Sequence, residues 1–98
     1  MAQIELAPKV ADDIERILAH LAEHGISNAP ERIGQIIQSI DILRHSPLIG
    51  RLVAGGKREL VIGRGVSGYV ALYRYFEPAD TVFVLALLSQ REAGFRHG

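Results

Sequence analysis

No cysteine occurs among the 98 residues, which excludes disulfides, thiolate metal sites and a cysteine nucleophile, and fits a reducing compartment. Neither charge is in excess. Lys plus Arg and Asp plus Glu each total 11, whereas proteins that grip nucleic acid mainly by its phosphates carry a positive surplus. No apolar run approaches the roughly 20 residues that span a bilayer, and no basic, apolar, small-residue signal series opens the chain. A cytoplasmic, unexported protein with no membrane role is therefore expected. Internal repeats, low-complexity tracts and linkers are also missing. What is present is 48% hydrophobic residues, enough in a chain of this length for one modest core and a single domain over residues 1–98.

The apolar pattern predicts one strand, two helices and three further strands. Gln3-Ile4-Glu5-Leu6-Ala7 alternates with the period of a half-buried strand and halts at Pro8, whose missing N–H suits the first turn of a helix. In that helix Val10, Ile14, Ile17, Leu18 and Leu21 form one stripe, Asp12, Glu15 and Glu23 lie on the far side, and Gly25 is placed to end it. Asn28-Ala29-Pro30-Glu31 reads as a second helix start with Asn28 as its cap. Ile33, Ile36, Ile37, Ile40 and Leu43 carry the second stripe as far as His45-Ser46-Pro47. The short connection makes the pair an antiparallel hairpin. A long loop over residues 47–56 leads to strands at 58–62, 69–76 and 81–88, joined by turns into an antiparallel meander. The expected class is α+β: β-α-α-β-β-β, with the N-terminal strand and helical hairpin packed on a mainly antiparallel four-stranded sheet.

Both faces of the last strand are apolar, with Val82, Val84, Ala86 and Leu88 pointing one way and Phe83, Leu85 and Leu87 the other. The preceding strand repeats this, setting Val70, Leu72 and Phe76 against Tyr69, Ala71, Tyr73 and Tyr75. One hairpin covers one face, so the second awaits the 47–53 loop and the C-terminal tail, or another chain. His20 and His24 are spaced i, i+4 but lack the adjacent Glu and third ligand of a zinc site, so no metal is expected. Gly63-Arg64-Gly65 reads as hairpin turn chemistry, and the three tyrosines as sheet packing. Arg74 is placed to snorkel to water or to pair with Glu59 across the sheet. Lys57-Arg58 after Gly55-Gly56 is either a solvated strand start or a cationic seat for an anion. Arg91 and Glu92 form either a solvated pair at a frayed end or a charged pair delivered to a working surface.

The order of elements resembles that of the RelE/ParE toxins of bacterial type II toxin–antitoxin systems, the ParE branch most closely. The resemblance is carried by Pro47-Leu48-Ile49-Gly50-Arg51, Arg58-Glu59-Leu60-Val61-Ile62, Gly68-Tyr69-Val70-Ala71-Leu72-Tyr73-Arg74-Tyr75, and Val84-Leu85-Ala86 leading to Gln90-Arg91-Glu92-Ala93-Gly94-Phe95. It implies two mechanisms on one fold. RelE-like and YoeB-like members resemble ribonucleases that cut messenger RNA on the ribosome, whereas ParE-like members act on DNA gyrase. Cutting RNA through its 2′-hydroxyl needs a base, an acid and cations around the phosphorus. Lys57, Arg58, Arg64, Arg74 and Arg91 are the cation candidates, and His45 or His97 the proton carriers. Where the ribonuclease branches place a tyrosine near the C-terminus this chain has Phe95, which has no proton to exchange. The resemblance therefore favours a gyrase-directed toxin that is not an enzyme, over a ribosome-dependent mRNA endoribonuclease. Arg91, Glu92, Arg74, Lys57, Arg58 and Phe95 are the target-binding or catalytic candidates. The likeness further implies a cognate antitoxin that folds onto the toxin in a hetero-oligomer, and no cofactor. Ile4 and Leu6 on the edge strand, Ile14, Leu18 and Ile37 along the helices, and Tyr69 and Tyr73 are the residues expected to receive it.

Overall fold

The computed structural model describes residues 1–63 and 68–90. The N-terminal alternation makes β1 (Gln3–Leu6), and Pro8, with no N–H to leave orphaned, opens α1 (Pro8–Glu23). Val10, Ile17 and Leu21 are buried along α1, with Ile14 and Leu18 half-buried beside them. Gly25 takes φ 67°, the left-handed conformation that terminates a helix at little cost only in glycine. The second stripe makes α2 (Ala29–Asp41), which buries Ile36 and Ile40 and continues as a 3₁₀ turn, Ile42–Arg44, that buries Leu43. The Asn28 side chain makes no capping hydrogen bond, contrary to its expected role.

β2 (Arg51–Val53), β3 (Lys57–Ile62), β4 (Tyr69–Phe76) and β5 (Thr81–Ser89) complete a five-stranded sheet in the order β1-β5-β4-β3-β2. β1 runs parallel to β5, and all other neighbours are antiparallel. The expected four strands become five because the segment read as loop contains β2. Its three residues are too few to show an alternation, yet they pair with the start of β3 across a turn in which Gly55 and Gly56 both have positive φ.

The helices pack on one face of the sheet, where Ile62, Ala71, Tyr73, Val82, Val84 and Leu87 meet the stripes of α1 and α2. Val10, Ile36, Leu43 and Leu87 are almost wholly buried, each worth about 1.5–3 kcal/mol of transfer free energy. The last strand does not keep a single alternation. Leu72 pairs with Ala86 and Tyr73 with Val84, which leaves Leu85 as the extra residue of a β-bulge. The bulge exchanges the faces, so Val82 and Val84 share the core with Leu87 rather than with Ala86 and Leu88. On the opposite face Val70, Leu72, Ala86 and Leu88 are buried as well, while Val61 and Phe76 stay 60% and 51% exposed. That face is partly covered, where the sequence left its cover open.

Candidate functional site

Pairing of β1 with β5 ends at Leu6–Val84, after which Ala7 donates its N–H to the Val84 carbonyl and the chain turns into α1. Further along β5, α1 supplies side chains in place of a strand. Asp13 Oδ2 accepts the Leu87 N–H at 2.9 Å, and Arg16 Nη2 donates to the Leu87 carbonyl at 3.0 Å. Asp13 is 3% exposed, and its Oδ1 also accepts from Lys9 at 2.7 Å and Arg16 at 3.4 Å. Burial pushes the Asp13 carboxyl up, but the Lys9 hydrogen bond, the Leu87 N–H, the Lys9 charge and Arg16 together outweigh it. The net effect is a pKa below the ordinary 3.8. Sequence reasoning missed this residue. Its spacing was the available signal: position 13 lies three past Val10 and four before Ile17, inside the apolar stripe.

A second constellation fixes the segment before β2. The fully buried Tyr73 hydroxyl accepts the Gly50 N–H at 2.9 Å and donates to the Pro47 carbonyl at 2.8 Å. Burial pushes this hydroxyl's pKa up, partly opposed by the Gly50 N–H and the Arg58 charge. Gly50 has no room for a side chain, since a Cβ there would lie 2.7 Å from the Tyr73 ring and hydroxyl and 2.9 Å from the Glu59 carbonyl oxygen. From β3, Arg58 Nη1 donates to the carbonyls of Leu48 at 3.2 Å and Gly50 at 2.9 Å. The loop so held displays Leu48 and Ile49, which are 58% and 59% exposed, beside an open cleft lined by Pro47, Tyr75 and Glu77, and Leu52 of β2 is 61% exposed. Arg58 is thus a positioning residue for this loop. Tyr73 has no exposed surface to offer a partner.

Pairing of Arg58 with Tyr73 and of Glu59 with Leu72 places Lys57, Glu59 and Arg74 on the face away from the helices. There Arg51 donates to Glu59 at 2.8 Å, and Arg74 Nη2 donates to the Gly55 carbonyl at 2.6 Å, tying down the turn between β2 and β3. Arg74 therefore anchors backbone, a role not foreseen for it. Tyr75 donates to Asp80 at 2.6 Å, and this bond, burial and the charges of Asp80 and Glu77 raise its pKa. Arg91, Glu92 and Phe95, with Arg64 and His97, lie outside the described residues. His45 is exposed just past the 3₁₀ turn after α2. Of the residues assigned to antitoxin contact, Ile4, Ile14, Leu18 and Tyr69 are half-buried, while Leu6 and Ile37 are 53% and 50% exposed. His24 Nδ1 sits 2.9 Å from the His20 carbonyl oxygen. Among the described residues no group of three or more His, Cys, Asp or Glu is placed to hold a metal ion, and no helix is long and apolar enough to cross a membrane.

A helical hairpin on one face of this sheet, with β1 beside β5, defines the RelE/ParE toxin fold, and three solved structures share it. The chromosomal ParDE system of P. aeruginosa superposes with a TM-score of 0.76 at 20% identity, covering 91% of this chain and 96% of that one. The intact RelBE complex of E. coli gives 0.62 at 15% identity over 91% and 96%. A RelBE-type toxin–antitoxin complex from Mycobacterium tuberculosis gives 0.57 at 17% identity over 90% and 96%. Residues 4–94 match the family model described as the ParE toxin of the type II toxin–antitoxin system, parDE. The chain belongs to the ParE toxin family, the branch its motifs resemble. No curated relative matches the sequence.

Proposed function

We propose that the protein is the toxin of a type II toxin–antitoxin pair, that it inhibits DNA gyrase by binding it in the cytoplasm, and that a cognate antitoxin neutralises it within a hetero-oligomer. The family match over residues 4–94 is the observation that carries this reading. The outward sheet face and the fixed loop support it. The outward face sets Arg51, Lys57 and Arg74 with exposed Val61 and Phe76, and the loop and β2 expose Leu48 and Leu52 on the other face, cationic and apolar surface suited to protein contact. The Tyr73 and Tyr75 hydroxyls of β4 are committed to the loop and to Asp80, and their raised pKa values leave neither ready to lose a proton near neutrality. Arg91, Glu92 and Phe95 complete the proposed target contacts.

Supercoiling and cleavage-complex assays with purified gyrase, run beside a translation-coupled mRNA cleavage assay, test the proposal. Accumulated cleavage complexes with intact message are expected. Message cut on the ribosome, with gyrase unaffected, would replace this reading by the endoribonuclease one. Arg91→Ala should abolish gyrase inhibition and leave antitoxin capture intact.

A further inference from the structure

A cavity of about 380 Å³ opens between α2 and the adjoining ends of β3 and β4. The polar side chains of Asn28, Arg32, Gln35 and Tyr69 surround it, above a floor of Ile36 and Ile62. Arg32, Gln35 and Ile36 fall at i, i+3 and i+4, so one face of α2 presents them together. Elsewhere the described arginines are all engaged. Arg16, Arg44, Arg51, Arg58 and Arg74 each bond a carboxylate or a backbone carbonyl. Half-buried Arg32 is the exception, and neither the side chains of Asn28 and Gln35 nor the Tyr69 hydroxyl makes a hydrogen bond among the described residues. Among the described residues no carboxylate lines the cavity.

A half-buried arginine with no carboxylate partner among the described residues leaves binding free energy unused. Its planar fork matches a carboxylate, and the amide and hydroxyl groups around it can complete the hydrogen bonding. Ile36 and Ile62 beneath would receive an aliphatic stem. A phosphate fits less well, because it brings nearly two charges to one cation and nothing to lie on the apolar floor. The geometry points to a recognition site for the carboxylate of a Glu or Asp in a partner protein, carried on a stretch with apolar neighbours. The site lies on α2, apart from the loop and outward sheet face assigned to gyrase, and it stands whichever target the toxin has.

Titration of the isotope-labelled full chain, followed by NMR at matched ionic strength, tests this with three probes: acetyl-Leu-Glu-Leu-amide, its Gln counterpart and inorganic phosphate. The Glu peptide should shift the Arg32 Nε–Hε signal and bind in the millimolar range. Replacing Glu by Gln in the peptide, or Arg32→Gln in the protein, should weaken it by about tenfold or more, the scale of one charge-assisted hydrogen bond. Arg32→Lys should fall between. Equal binding of the two peptides, an unmoved Arg32 signal, or phosphate binding as tightly as the Glu peptide would each overturn the assignment. The comparison of probes on the unaltered chain decides the matter even if an Arg32 variant fails to fold.

Discussion

Asp13 holds a backbone group that no strand reaches, and its charge is bound up with that task. Because its pKa is lowered in the folded chain, the unfolded state binds the proton more readily. The contribution is therefore complete above the ordinary value of 3.8 and is lost as pH falls through the folded value. Acid unfolding monitored by circular dichroism should show this loss below pH 3.8, and Asp13→Asn should flatten that limb. Asp13→Ala removes the acceptor for the Leu87 N–H and should cost about 1–3 kcal/mol in denaturant titrations. Gly50→Ala should cost about 1–3 kcal/mol by overpacking against Tyr73 and the Glu59 backbone. A loss under about 0.5 kcal/mol would show that this corner has slack. Gly50 stood in the sequence as one letter of a motif. Its steric reason exists only once Tyr73, 23 residues later, folds against it.

At the level of elements, what the sequence revealed depended on whether a period was present. β1, α1 and α2 were legible because polar residues interrupt the apolar ones at a spacing only one geometry satisfies, and β3 and β4 because β-branched and aromatic runs are bounded by turn residues. The run from Val82 to Leu88 is apolar throughout, so its existence as a strand was clear while its register was not, and the bulge at Leu85 left no mark. β2 is shorter than any pattern. Its neighbouring loop owes its shape to tertiary bonds from Arg58 and Tyr73 rather than to local propensity. Arg58→Ala should accordingly speed hydrogen exchange of the Gly50 amide by about tenfold or more while Val84, in the core, keeps its protection. Equal change at both amides would mean that Arg58 supports the whole sheet.

Across the whole molecule, the helices shield one face, and exposed Leu48, Ile49, Leu52, Val61 and Phe76 remain for other contacts. The isolated toxin should self-associate with rising concentration and bind an apolar dye, and Leu48→Glu with Leu52→Glu should reduce both with the fold intact. A monomer at high concentration that binds no dye would contradict this. The architecture was readable from the order of motif pieces, whereas the target is not encoded in the shared fold and the C-terminal candidates lie beyond the described residues.

The register of Gln3 with Thr81 has a temporal meaning. A ribosome releases β1 well before β5, so this pairing must wait until Thr81 and its neighbours have emerged. Until then the sheet edge that β1 forms does not exist, and any protein that recognises that edge meets only a chain in which β5 has been made.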